Sequence, residues 1–139
     1  MDIKNIVMED LKKVIDESIL DTTVNNLHFS YGDGAYEPGT YIYEKNDVYH
    51  YVGVGDRGGV DDEIKTSNIE DILYKIYSTI TFNEATKFAM VNREKNRDWR
   101  RILFKKQLEL LRCIGEIYYQ KRKEEIATIL LTSPYKDNI

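Results

Sequence analysis

The sequence predicts an α+β fold in a single domain spanning residues 1–139. The expected order is an N-terminal helix, a small antiparallel sheet of three to four strands, then a C-terminal group of three to four helices. Three observations carry this. Apolar residues recur at helical spacing up to about residue 20. Between residues 26 and 55, Gly, Asp, Asn and Pro punctuate short runs rich in Tyr, Val, Ile and Thr. Helical spacing then returns from Ser67 and holds to the end. Strands and helices occupy separate stretches, which argues against an alternating parallel sheet.

In the first stretch Ile3, Ile6, Val7, Leu11, Val14, Ile15 and Ile19 follow steps of 3 and 4, with Lys and Asp/Glu opposite, so a helix over 2–20 is expected. Leu27–Tyr31 reads as a strand ended by Gly32-Asp33-Gly34, and Glu37-Pro38-Gly39 as a turn. Thr40–Glu44 and Val48–Val54 read as two strands joined at Asn46-Asp47, which tolerate the positive φ of a tight hairpin. Alternation puts Val48, His50, Val52 and Val54 on one face, and Tyr49 and Tyr51 on the other. The glycine-crowded segment GVGDRGGVDDE reads as a loop or bulged hairpin, with Glu63–Thr66 adding a short strand.

Ser67-Asn68-Ile69-Glu70 fits a capping box. Two stripes follow, Ile69/Ile72/Leu73/Ile76/Tyr77 and Ile80/Phe82/Ala85/Phe88/Ala89/Val91, with a break or kink expected at the β-branched run Ser78–Thr81. Asn92–Asp98 reads as a connection. A long helix is expected from about Asp98, its apolar face carrying Trp99, Leu103, Leu110, Ile114 and Ile117 with Phe104, Leu108 and Leu111 beside it, weakened or ended at Gly115. A last helix near Tyr119–Leu131 stops before Pro134.

Composition narrows the function classes. Cys113 is the only cysteine, so no intrachain disulfide forms; beside Leu110, Leu111 and Ile114 it reads as a small core residue. The N-terminus lacks the basic start and unbroken apolar run of a signal peptide, and no stretch approaches the roughly 20 apolar residues of a membrane span, so a cytoplasmic location is expected. Eleven tyrosines fit half-wet sheet faces or an interface, and a Tyr-rich sheet also permits a homodimer. Residues 1–70 carry 15 Asp/Glu against 6 Lys/Arg, whereas residues 71–139 carry 9 against 14. The acidic half repels nucleic acid and attracts basic partners.

Chemistry-bearing patterns are sparse. The glycine cluster has no GxxxxGK[ST] run, and Asp61, Asp62 and Glu63 beside it would repel a phosphate. Those acids lack the spacing of a 12-residue calcium loop. No G-x-S-x-G elbow is present. No catalytic residue, cofactor or metal is assigned. His28 and His50 fall in expected strands; brought together, with Glu44 near, they would form an acid–base or metal site, and the plainer reading is two sheet residues with satisfied hydrogen bonds. The stretch 93–106 holds Arg93, Lys95, Arg97, Arg100, Arg101, Lys105 and Lys106 with Trp99 and Phe104 between them, a mixture that suits single-stranded nucleic acid. Against this, both aromatics sit where the helix needs core residues, and Arg100 or Arg101 is also placed to reach the acidic strand region of the same molecule.

Four stretches taken in order, YHYVGVGDRG, IEDILYKIYSTITFNEATKF, DWRRILFKKQLELL and EEIATILLTSPYKD, resemble a family of bacterial immunity proteins from polymorphic toxin systems, immunity protein family 63. The resemblance runs from Tyr43 to Pro134 and includes Tyr51, Arg57, Gly58, Arg101, Phe104 and Gln107. It implies a protein that binds a cognate toxin in the producing cell and blocks it without performing chemistry, and it carries over no catalytic residue. An acidic surface suits toxins with basic active sites. The expected partner-facing residues are Asp33, Tyr36, Glu37, Asp56, Asp61, Asp62 and Glu63, on loops and strand ends of the acidic half. The competing reading is a nucleic-acid-binding module built on the 93–106 region.

Overall fold

The computed structural model describes residues 2–16, 27–30, 37–57 and 59–138. Its elements run α1 (Ile3–Leu11), β1 (Leu27–His28), β2 (Gly39–Lys45), β3 (Val48–Val54), β4 (Val60–Thr66), α2 (Ile69–Val91), α3 (Arg100–Ile114) and α4 (Glu116–Thr132). This is the expected α+β order. The chain forms two compact units, residues 1–75 and 76–139, with the boundary inside α2.

In the first unit, Asp2 caps α1 by accepting the Lys4 amide at 2.9 Å. Ile3, Val7 and Leu11 are its buried residues, one turn apart on one face. Regular helix stops at Leu11, although the Ile15 amide still bonds the Leu11 carbonyl at 2.9 Å and Ile15 is buried. The rest of the expected helix, beyond residue 16, lies outside the described residues.

The sheet has the order β1-β2-β3-β4. β2–β3–β4 is antiparallel as expected, but β1 pairs with β2 in parallel, so the sheet is mixed. The Asn46-Asp47 hairpin is present with φ of 53° and 61°, the left-handed pair that matches strand twist. β4 is longer than its sequence stretch promised, because its pairing with β3 extends back to Val60 through a bulge at Gly53/Val54. Tyr51 and Val52 are both buried although they point to opposite faces, so both faces of β3 are covered.

α2 begins one residue later than the expected capping box. Asn68, not Ser67, precedes its first turn, and its Oδ1 accepts the Glu70 amide at 3.0 Å. Thr66 Oγ1 accepts the Asn68 amide and donates to Asp71 Oδ2, tying the end of β4 to the helix start. The expected break at Ser78–Thr81 does not occur; α2 is one helix of 23 residues. Thr81 is buried and donates its hydroxyl to the Tyr77 carbonyl at 2.7 Å. With the hydroxyl satisfied one turn back, apolar burial on either side outweighs the modest propensity cost of the β-branched run.

The second unit holds the C-terminal part of α2 with α3 and α4. Ala85, Ala89, Leu103, Phe104 and Ile126 form its core. Tyr77 packs edge-on against Tyr118 with ring centroids 5.1 Å apart. Gly115 separates α3 from α4 in extended backbone, and a Cβ there would come within 3.1 Å of the Tyr118 ring. The break resets the helical phase. Ile117, expected on the core face, is exposed, and Tyr118 is buried instead. Trp99 sits before α3 and is only partly buried, at 36% exposure. Cys113, expected in the core, is exposed because it lies nearly opposite buried Leu111 around the helix.

Candidate partner-binding surface

Strand pairing gathers acids at one end of the sheet. Gly39 opens β2 opposite Val54, and Val54 faces Val60, so Glu37, the 55–59 loop and the first residues of β4 share that end. The Gly55 amide closes the loop on the Gly59 carbonyl at 3.1 Å. Glu37 and Asp56 are exposed. Glu37 is also anchored through its carbonyl, which accepts the Tyr41 hydroxyl at 2.9 Å.

Asp61 is the extra residue of the bulge: Asp62 faces Gly53, Val60 faces Val54, and Asp61 has no opposite number. Its carboxylate lies over two glycines. A Cβ on Gly53 would stand 3.2 Å from Oδ1, and one on Gly55 2.9 Å from Oδ2. The glycines of GVGDRGG therefore serve close approach of an acid, not of a phosphate. Asp62 points to the opposite role: its carboxylate receives Lys75 Nζ at 2.7 Å, and the same ammonium lies 5.4 Å from the Tyr51 ring centre. Glu63 is exposed and pairs with Lys65 at 3.3 Å, a surface bridge of little energetic weight. Asp33, Tyr36 and Gly58 lie outside the described residues.

The histidines do not build a catalytic centre. His28 stacks on Tyr41 at 4.7 Å between ring centroids and His50 on Tyr43 at 4.6 Å, each across a different strand pair. Glu44, the acid expected to join them, faces Tyr49 on the other side of the sheet from His50. His50 Nδ1 is buried with no hydrogen-bond partner among the described residues. Among those residues no group of three or more His, Cys, Asp or Glu is placed to hold a metal ion, and no helix is long and apolar enough to cross a membrane.

Three arginines of the basic stretch are committed to acids of their own unit. Arg100 holds Asp98 with Nη2 at 2.9 Å from Oδ2, and its guanidinium donates to the Ser133 and Pro134 carbonyls. Arg101 grips Asp137 at 2.8 Å and stacks 4.1 Å over the Tyr135 ring. Asp98 accepts the Lys136 amide, and Asp137 accepts the Asp98 amide. These bonds strap residues 133–137 onto the start of α3. The Arg100 side chain, helped by the Lys136 and Arg100 amides against some burial, holds the Asp98 carboxyl well below the usual carboxylate range. Asp137 is lowered by the Arg101 side chain and then by the Asp98 amide, while burial raises the Tyr135 hydroxyl. Arg97 pairs with Glu94 at 3.5 Å. The groove of about 470 Å³ beside these residues is lined by Lys105 and Lys106 but also by Glu94, Asp98 and Glu109. A wall of mixed sign is poorly suited to tracking a phosphate backbone, which needs one sign throughout. The arginines do reach acids of the same molecule, but the acids are Asp98 and Asp137, not the strand region.

Sequence reasoning missed one arrangement altogether. Gln107 is fully buried; its Nε2 donates to the Ser78 carbonyl at 3.0 Å and its Oε1 accepts Arg122 Nε at 2.9 Å. A polar residue at a core position of α3 was its only trace in the sequence. Of the positions that carried the family resemblance, Tyr51 and Phe104 are core, Gln107 anchors this network, Arg101 fastens the tail, and Arg57 alone of the described ones is freely exposed.

A family model described as Immunity protein 63 matches residues 45–128, more than half of the chain, and the chain belongs to that family. No curated protein and no solved structure matches it. The matched stretch starts at the end of β2 and takes in β3, β4, α2, α3 and most of α4.

Proposed function

We propose, on the premise of membership in the immunity protein 63 family, that this protein neutralises a cognate bacterial toxin by forming a stoichiometric complex with it, with no bond made or broken. The docking surface is the acidic end of the sheet: Glu37, Asp56 and Asp61, with Glu63 further along β4. Asp33 and Tyr36 belong to the same proposal on sequence grounds. Asp62 contributes by holding Lys75 and is not counted as an anchor.

One observation carries this reading. The pairing of β2, β3 and β4 brings exposed acids from three separate segments to one end of a hydrogen-bonded sheet. β4 holds Asp61 and Glu63 directly, and the paired strands anchor the short segments carrying Glu37 and Asp56, which lowers the ordering cost of binding. Like charges so grouped speed encounter with a basic surface, such as the active site of an enzyme that attacks nucleic acid. In the 93–106 stretch, by contrast, Arg97, Arg100 and Arg101 pair with acids of their own unit.

The test is protection and binding with the toxin encoded beside this protein. Co-expression should rescue growth, and the purified pair should form a complex of fixed stoichiometry whose association slows at high salt. Triple reversal, Asp56→Lys, Asp61→Lys and Glu63→Lys, should weaken protection while leaving the fold intact. Unchanged protection by that variant defeats the surface assignment; no rescue by the parent protein defeats the role.

A further inference from the structure

In the helical unit, a hollow of about 200 Å³ is lined by Ser78, Thr79, Phe82, Asn83, Gln107 and Arg122. It is smaller than the roughly 300 Å³ at which sites for whole small molecules begin. It therefore has room for a group, not for a nucleotide or cofactor.

The Arg122 side chain is only 15% exposed. Its Nε donates at 2.9 Å to Gln107 Oε1, and Gln107 is itself locked by the Ser78 carbonyl and the Thr81 hydroxyl. The guanidinium is thus oriented by a buried group and flanked by the Phe104 ring at 5.9 Å. Partial removal from water strengthens any charge pair it makes. The carboxylate paired with it among the described residues, Glu125, stands 3.6 Å from Nη1 and its side chain is 46% exposed. A charge-assisted bond is shorter, about 2.7–2.9 Å, and a matched carboxylate meets the arginine fork with two such bonds. Glu125 therefore leaves the fork underused, while Thr79 and Asn83, a hydroxyl and an amide residue, line the same hollow.

We infer that this hollow is an oxyanion subsite, in which Arg122, oriented by Gln107, binds a carboxylate or phosphate group with Thr79 and Asn83 as supporting donors. Glu125 competes with the incoming anion for the guanidinium. The subsite is separate from the acidic sheet end and does not depend on the toxin-binding reading.

The test is a two-dimensional amide NMR titration of the full chain with sodium phosphate and, separately, sodium acetate, with ionic strength held by sodium chloride. Saturable shifts are expected at Thr79, Asn83 and Arg122, with a dissociation constant in the millimolar range or tighter. Saturation by phosphate alone assigns the site to a phosphoryl group; saturation by acetate assigns it to a carboxylate. Arg122→Gln should remove the saturable response. Should that variant fail to fold, Glu125→Gln keeps the inference falsifiable, because it leaves the Gln107 bond in place and should tighten binding at least threefold. Linear, non-saturating shifts with both anions, or an affinity unchanged by Glu125→Gln, overturn it.

Discussion

The sheet unit leaves the acids Glu37, Asp56 and Asp61 turned to solvent at one end, while the helical unit ties Arg100 and Arg101 to acids up to 36 residues away along the chain. Both regions looked alike as sequence: short runs of one charge sign with aromatics nearby. The difference lies in what each run meets. In the sheet, Asp62 meets Lys75 and Glu63 meets Lys65, while Asp61 lies over Gly53 and Gly55 and keeps its exposure. In the helical unit, the chain returns after α4 and brings Asp137 and Tyr135 back onto the cations. A charged run is better placed to bind a partner where the fold leaves its charges exposed than where it ties them to bonds within the chain.

The largest expected effect separates the cores from the surfaces. Leu103→Ala removes a buried side chain from the helical core and should cost about 3 kcal/mol in urea denaturation. If the toxin-binding surface belongs to the sheet unit, toxin affinity measured under folding conditions should stay unchanged. A parallel loss of affinity would move the surface.

Next comes the acidic end itself. The Asp56, Asp61 and Glu63 reversal should slow association with the toxin about 10- to 100-fold at low salt, with denaturation midpoints nearly unmoved. Stopped-flow kinetics against salt decides this. The same reversal made at Asp62 should act on folding, since Lys75 would face a like charge.

A smaller effect concerns the strap. Asp98 and Asp137 both titrate below their unfolded values, so the folded state binds fewer protons at mildly acidic pH. Their stabilisation is complete above the ordinary carboxylate value, about pH 4, and is lost as pH falls through the lowered folded values. The Lys136 amide resonance should hold its position from pH 7 to about 4 and move only below that. Asp98→Ala should release residues 133–137 at neutral pH, and an unmoved Lys136 resonance would refute the strap. Smallest is the hairpin: Asp47→Gly, at φ 61°, should stabilise the sheet unit by about 0.5 kcal/mol or leave it unchanged in thermal melts.

Much of the fold was legible because its signals are local. The Ile3/Val7/Leu11 spacing, the Asn46-Asp47 turn, the alternation in Val48–Val54 and the stop at Gly115 each depend on residues within a turn or two of one another. The unread parts are those where distant contacts outvote local preference. Ser78–Thr81 stayed helical because packing and the Thr81–Tyr77 bond favoured it. Ile117 turned outward because the break at Gly115 shifted the phase by more than a sequence stripe shows. β1 paired in parallel, a choice no feature of Leu27-His28 encodes. Of the candidate surface, the sequence marked the acids correctly as acids but did not separate Asp62, held by Lys75, from Asp56 and Asp61.

By itself the sequence determined the order of helices and strands, the split of charge between the two halves and the family to which the chain belongs, because periodicity, composition and motif wording are written residue beside residue. Only the tertiary structure decided which charges are spent and which remain: the bulge that sets Asp61 over Gly53 and Gly55, the tail that occupies Arg100 and Arg101, and the buried glutamine that aims Arg122. Those choices depend on Coulombic and hydrogen-bond partners brought within about 3 Å from far along the chain, a distance that sequence separation does not record.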